Sequence, residues 1–461
     1  MTSTTPRTTT GFIRTVVLIT VVTAVGGFLF GFDNGSISGS VGFLETRFAL
    51  SPAGVGWVTS SIIVGCIVGV IIAGRLSDAI GRKKVLVLTA VVFVLGALVE
   101  AIAPDETVLV VGRILVGIGI GVETTIAPLY IAEVAPARIR GRLVSFNQLF
   151  NTVGNLVVFS VAALIANLNS EQWNVDYGWR VIFATGLVPA IVFVLLLRFI
   201  PESPRWLMRQ GLEDRARAVL ERVNPSRQKA GEQLEEIRAT LQGEGSSSEL
   251  RELLRPSLRK ALVVGFFVAL FQQITGINAI FYYAPEIFKD AGLPATDALS
   301  STVLIGIVLV AATLVSLVII DRAGRRRLLV IGASAMTALQ AGIGTVFLAP
   351  EPDGVLLLIL ILAYVAFFAV SFGTVAYVLI AEIFPTRVRG AAASVATFAL
   401  WGGNFFVSQF FPILVDGVGS SWTFYLFAAI CAVALIFVLW LVPETKGRSL
   451  EEIERDLHGA R

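Results

Sequence analysis

Two ionised side chains lie in stretches that are otherwise apolar: Asp33, within GFDNGSISG (31–39), and Arg113, at the head of GRILVGIGIGV (112–122). An ionised group at the centre of a membrane helix costs about 2.5–3.5 kcal/mol on insertion scales, so it marks a function or a partner. Desolvation favours the neutral form of a carboxyl, and a nearby guanidinium favours the charged form. Such a pair can trade a proton when the guanidinium moves away, or it can lock two helices as a static ion pair. A second set is neutral: Gln148, Asn155, Gln272, Gln273, Asn278 and Asn404, with Phe30, Tyr282, Tyr283, Tyr377 and Trp401 as accompanying aromatics. Amides donate and accept at once, and an aromatic face covers C–H surface. Together they suit a ring carrying several hydroxyls. A lone amide is as well explained by an interhelical hydrogen bond worth about 0.6 kcal/mol. Gln272, Gln273 and Asn278, clustered on one Gly-containing stretch, argue instead for a site.

The elements that must position these groups follow from composition. Of 461 residues, 55% are apolar and only 15% charged, with a mean hydropathy of +0.81. A soluble domain carries about 25% charge, so a soluble enzyme, a disordered protein and a secreted disulfide scaffold are excluded. Cys66 and Cys431 lie far apart in apolar runs and imply no disulfide framework. A crossing helix needs about 20 mainly apolar residues. Twelve runs qualify: 15–40, 54–74, 84–103, 107–134, 140–166, 180–200, 260–285, 299–320, 328–349, 354–382, 391–415 and 421–442. They fall six and six around the charged segment 202–257. The first run is too long for a cleaved signal peptide, lacks a small-residue cleavage site and continues through Asp33.

Lys and Arg set the orientation. With the N-terminus, the even-to-odd connections and the C-terminus on one side, that side holds 32 of the 36 basic residues. The opposite loops hold Arg47, Arg180 and Lys289, and Arg113 is inside a span. Both termini are expected in the cytoplasm. On this topology Asp33 lies 18 residues past Thr15, roughly 27 Å in at 1.5 Å per residue. Arg113 lies about 9 Å below the opposite face. Both fall in the outer half of the membrane and can meet. Segment 202–257 is expected in the cytoplasm as short amphipathic helices, near 211–222 and 231–241, followed by a Gly/Ser break at 243–248. The expected divisions are an N-terminal six-helix bundle over 1–200, a linker over 201–259, a C-terminal six-helix bundle over 260–442 and a tail over 443–461. Arg outnumbers Lys 30 to 6, a composition pointing to a GC-rich prokaryote and its cell membrane.

The two halves repeat. GRLSDAIGRKK (74–84) returns in IIDRAGRRR (319–327), placing Asp78 on Asp321 and Arg82 on Arg325 at an offset of 243. EVAPARIRG (133–141) returns as EIFPTRVRG (382–390), and PESPR (201–205) as PETKG (443–447). Three motifs in one order and near-constant spacing describe parallel repeats about an axis along the membrane normal. Such repeats place a substrate site at their interface near the midplane. Asp78, Arg82, Glu133, Arg140 and Glu202 thus recur as Asp321, Arg325, Glu382, Arg389 and Glu444. Their positions at cytoplasmic helix ends suggest two salt-bridge clusters bridging the halves, a latch favouring the outward-open state. Positive-inside insertion alone would account for the basic residues but not for the interleaved acids.

With these motifs assembled, the chain resembles the sugar porter family of the major facilitator superfamily over nearly its whole length. The carrying motifs are GFDNGSISG, GRLSDAIGRKK, GRILVGIGIGV, YIAEVAPARIRGRLVSFNQ (130–148), PESPRWL (201–207), QQITGINAIFYYAP (272–285), DRAGRRR (321–327), AEIFPTRVRG (381–390) and PETKG. The resemblance implies an all-α membrane fold of twelve transmembrane helices in two six-helix bundles, with cytoplasmic helices between. It implies proton symport of a monosaccharide, a hexose or pentose, by alternating access, with Asp33 and Arg113 as the proton-coupling pair. It matches Gln148, Gln272, Gln273, Asn278 and Asn404 to sugar-hydroxyl ligands and Trp401 to the stacking aromatic; Phe30, Asn155, Tyr282 and Tyr377 complete the expected site. No cofactor, metal or nucleic acid is expected, only protons, sugar and the lipid bilayer, and the chain is expected to be a monomer. Departures from the pattern are Tyr377 where Trp is usual, Thr374 after Gly373, Leu400 before Trp401, and Leu309 at an Asn position of several relatives. They leave room for a pentose or a cyclitol. The alternatives are an uncoupled facilitator, against which Asp33 argues, and a membrane sugar sensor, for which the 19 residues after the last run form a short tail. An enzyme is not expected: the sole histidine, His458, is in the tail, and no run carries a nucleophile–base set.

Overall fold

The structure is a computed structural model. It describes the backbone of residues 9–135, 137–224, 226–243, 258–384 and 388–448, and the side chains of these apart from 9–16, 23, 137–145, 242–243, 321, 381 and 389. Among the described residues every regular element is helical. Twelve helices among the described residues are long and apolar enough to cross a membrane. Spans 1 to 6 are Val17–Phe48, Pro52–Ile80, Arg82–Ile102, Glu106–Val134, Phe146–Leu168 and Glu171–Leu197. Spans 7 to 12 are Arg259–Asp290, Ala295–Ile320, Arg325–Val346, Gly354–Ile380, Gly390–Val418 and Ser420–Leu441. All twelve expected runs are present, with shifted ends. Span 1 runs on past residue 40, and Ser36, Ser38 and Ser40 are buried within it, where short side chains let neighbouring helices come close.

Local chemistry explains where spans stop and break. Gly81 (φ 99°) joins spans 2 and 3, and Gly324 (φ 89°) joins spans 8 and 9. They occupy one position of the repeated motif, and both adopt a backbone that residues with a Cβ rarely accept. Span 7 is broken between Ile274 and Ile277 at Gly276, which is left-handed at φ 100°. Span 10 is broken at Ser371, between Val370 and Phe372. Asp105 caps span 4 by accepting from the Val108 amide, and Asp353 caps span 10 through Val355 and Leu356, each cap being worth about 1 kcal/mol.

Three shorter helices, Pro204–Arg209, Glu213–Val223 and Arg227–Gly243, follow span 6. The second buries Ala216, Val219, Leu220 and Val223, and the third buries Ala230 and Leu234. Arg238 pairs with Glu213 at 2.6 Å, and that hydrogen bond holds the Glu213 carboxyl below its ordinary range.

By packing, the chain groups into two compact units. One is Met1–Asp33, Val64–Gly154 and Phe183–Ser246; the other is Asn34–Ile63, Asn155–Ile182 and Ser247–Arg461. The dividing points fall within spans 1, 2, 5 and 6. In the first unit, spans 3 and 4 are in close contact because Gly96 faces Val116 and the Gly112 carbonyl, while Gly112 faces Glu100; a Cβ at either glycine would collide. In the second unit, segments of spans 1, 2 and 5 pack on spans 7, 8 and 11. Ser60 donates to Gln409 at 2.8 Å, Gln409 donates to the Ala53 carbonyl at 3.1 Å, and Asn167 donates to Ser300 at 3.2 Å.

Candidate functional site

The first unit holds the ionised pair. Arg113 Nη1 donates to both Oδ1 and Oδ2 of Asp33, each at 3.0 Å, and the two side chains are 0% and 4% exposed. Asp33 and Arg113, expected at similar depth from the residue count, do meet. The site has a third ionisable member that sequence reasoning missed. Glu100, near the end of span 3, places Oε1 3.7 Å from the same Nη1 and is 2% exposed. Gly112, beside Arg113, is what lets Glu100 come this close. The Phe183 ring lies 6.0 Å from the guanidinium carbon, within reach of a cation–π attraction.

A second missed carboxyl is Glu123, buried in the middle of span 4. It hydrogen-bonds to Asn147. It also lines a pocket with Gly26, Leu29, Phe30, Thr89 and Phe93. The signal that singled out Asp33, a charge inside an apolar run, applied equally to Glu123. Glu100 was hidden by its place near the end of a run, where a charge ordinarily reaches water. Phe30 and the half-buried Gln148, both expected at a sugar site, belong to this first unit.

The second unit holds the other eight expected sugar residues. The break at Gly276 turns the chain between Gln273 and Asn278, and Asn278 Nδ2 donates to Gln273 Oε1 at 2.6 Å. Gln272 donates to the Gly373 carbonyl at 3.4 Å and hydrogen-bonds to Tyr377. Tyr377 is 48% exposed, three residues before the end of span 10. Asn404 Nδ2 donates to the Tyr282 hydroxyl at 3.4 Å, and that hydroxyl donates to Asn34 Oδ1 at 3.4 Å. Ser408 donates to Asn404 Oδ1 at 2.9 Å and accepts Tyr283 on its carbonyl at 2.6 Å. Asn155 and Trp401 are buried in spans 5 and 11. Of the three amides of span 7, Gln273 and Asn278 pair with each other, while Gln272 bonds to span 10. Asn34 was not foreseen, yet it follows Asp33 directly and contacts Tyr282.

The repeated charges form two matching clusters. In the first unit Arg82 bonds Glu133 through Nε at 2.9 Å and Nη2 at 3.1 Å, and bonds Asp78 at 2.9 Å. Ser203 also donates to Glu133. Glu202 accepts from the amides of Lys83 and Ser203. In the second unit Arg325 bonds Glu382 at 3.2 and 2.8 Å, Thr445 donates to Glu382, and Glu444 accepts from the amides of Arg325 and Thr445. Glu202 packs on Gly81 as Glu444 packs on Gly324. Each described pair joins elements of a single half. The clusters were expected to bridge the halves, and none of their described pairs does so; the side chains of Arg140, Asp321 and Arg389 lie outside the described residues.

Among the described residues, twelve membrane-length helices in two sequence repeats surround a buried Asp–Arg ion pair and a set of buried amides, the make-up of a membrane transporter rather than an enzyme. The family model described as "Sugar (and other) transporter" matches residues 19–457. The chain is 41% identical over 440 residues to the arabinose-proton symporter of Bacillus subtilis, covering 95% of this chain and 94% of that one. It is 37% identical over 468 residues to the D-xylose-proton symporter of Escherichia coli, covering 95% and 94%. A partially occluded inward-open structure of the E. coli xylose transporter XylE matches with a TM-score of 0.84 at 34% identity, covering 95% of this chain and 100% of that one. The chain belongs to the sugar porter family of the major facilitator superfamily.

Proposed function

We propose that this protein imports a monosaccharide, a pentose or hexose, together with a proton by alternating access across the cell membrane, with both termini in the cytoplasm. The carrying observation is the buried Asp33–Arg113 pair, whose next residue, Asn34, contacts Tyr282 in the amide and tyrosine cluster. Sugar bound at that cluster therefore pulls on the helix that carries the proton site. Asp33 takes a proton when its hold on Arg113 loosens and gives it up when the pair re-forms. In the second unit Gln272, Gln273, Asn278, Asn404 and Asn155 supply hydrogen bonds, and Tyr282, Tyr377 and Trp401 supply the walls. Names of the relatives, arabinose- and xylose-proton symporters, support this reading.

The driving force is adequate. One proton falling through about 150 mV releases roughly 3.5 kcal/mol, enough for about 300-fold accumulation. The bonds from Ser60, Gln409 and Asn167 in the second unit act as an outer closure in this cycle, and the Arg82 and Arg325 clusters brace the cytoplasmic ends of the repeats. Leu309, buried at 5% exposure, offers no hydrogen bond and favours a less hydroxylated ligand. The test is uptake of labelled pentoses, hexoses and inositols by the reconstituted protein, with and without an inward proton gradient. Gradient-dependent accumulation of one pentose or hexose is expected. Gradient-independent equilibration would leave an uncoupled facilitator.

A further inference from the structure

Protonating Asp33 creates a difficulty that the pair alone does not resolve. Arg113 is fully buried, and a buried cation stripped of its counter-ion is strongly unfavourable. A two-residue site would thus hold its proton only at the cost of an orphaned guanidinium. The structure supplies a second carboxylate in the right place. Glu100 is 2% exposed and lies 3.7 Å from Nη1, the nitrogen that binds both oxygens of Asp33. That distance is too long for a hydrogen bond, and Oε1 is buried without a hydrogen-bond partner. It already lies within ion-pair distance of Arg113, short of a full hydrogen bond.

We propose that Glu100 is the alternate counter-ion of Arg113, a positioning residue that receives the guanidinium when Asp33 is protonated. The inference rests on the symport reading above and deepens it. The proton comes from water and joins an oxygen of Asp33; Arg113 keeps its own proton and shifts toward Glu100. With both acids ionised the three groups carry one net negative charge, and with Asp33 protonated they carry none, so the buried site is neutral in its loaded form. The groups packed around it are consistent with this. Span 2 contributes Cys66 and span 6 the Phe183 ring, neither of which offers a competing cation. Gly112 is required because any side chain there would displace Glu100.

The test is the pH dependence of sugar transport by the full chain in liposomes, for the wild type, Glu100→Gln and Glu100→Asp. Counterflow at equal pH on both sides serves as a measure of sugar exchange that needs no coupling. Removing the Glu100 charge makes protonation of Asp33 harder, so the midpoint of gradient-driven uptake should move to lower pH by about one unit or more. Counterflow should persist, and Glu100→Asp should keep the wild-type midpoint. An unshifted midpoint in Glu100→Gln overturns the proposal. So does an equal acid shift in Glu100→Asp, which would point to side-chain shape rather than charge. If Glu100→Gln supports no counterflow, Glu100→Asp decides: wild-type counterflow and midpoint support the proposal, and loss of counterflow overturns it. Absence of gradient-driven uptake in the wild type would instead refute symport itself.

Discussion

Replacing Arg82 with Gln should be far more damaging than the same change at its repeat counterpart, Arg325. Arg82 makes two bonds to Glu133, one to Asp78 and one to the Ser77 carbonyl. The Arg82 and Glu133 side chains are 4% and 5% exposed. Truncation leaves Glu133 as a buried charge with the Ser203 hydroxyl as its remaining described partner, and breaking a buried pair in this way costs about 3–5 kcal/mol. Arg325 and Glu382 repeat the geometry, but they are 11% and 30% exposed. Water reaches Glu382, so its loss of a partner should cost about 1–2 kcal/mol, between the exposed and buried limits. The assay is thermal unfolding of purified protein in one detergent for each single and double Gln variant. Arg82→Gln should be the less stable single variant by about 2 kcal/mol. The Arg82→Gln/Glu133→Gln pair should show a coupling of at least about 1.5 kcal/mol. Equal destabilisation in the two repeats, or simple additivity in the first, would refute the reasoning.

Three further outcomes follow from the geometry. Gly276→Ala forces a Cβ into the left-handed conformation and against Gln340 and Phe427; it should cost about 2–4 kcal/mol in stability and weaken sugar binding measured by intrinsic fluorescence. Asn278→Ala deletes a partner of Gln273 in the proposed sugar cluster; it should raise the KM for uptake about tenfold, one hydrogen bond's worth, with a smaller change in kcat. Glu213 is held below its ordinary pKa by Arg238, so the pair stabilises the Glu213–Val223 and Arg227–Gly243 helices above the carboxylate range and loses that contribution as pH falls through it. Glu213→Gln should accordingly lower local protection from hydrogen exchange near neutral pH and leave it unchanged in acid.

Much of this architecture was readable from the chain because the bilayer imposes strong rules. Twelve long apolar runs had to be helices, since an unpaired backbone in hydrocarbon is prohibitive. Asp33 and Arg113 could be matched by counting residues from each membrane face. Glu100 could not, because its place near the end of an apolar run carries no anomaly until Gly112 is seen to admit it. Glu123 was readable but passed over among the Gly-rich motifs of span 4. In the charge clusters the repeat revealed which residues recur, but not which ones pair. Arg82 could have reached across to the other half as well as to Glu133, and only the turn at Gly81 and the packing of Glu202 on it show the internal pairing.

In the proposed cycle, sugar entry carries a proton through Asp33. Sugar-induced pH change outside weakly buffered liposomes, in the absence of any imposed gradient, measures this most directly. The wild type should alkalinise the medium when the transported sugar is added, and Asp33→Asn should exchange sugar with no pH change. Sugar entry without alkalinisation in the wild type, or undiminished alkalinisation in Asp33→Asn, would contradict it.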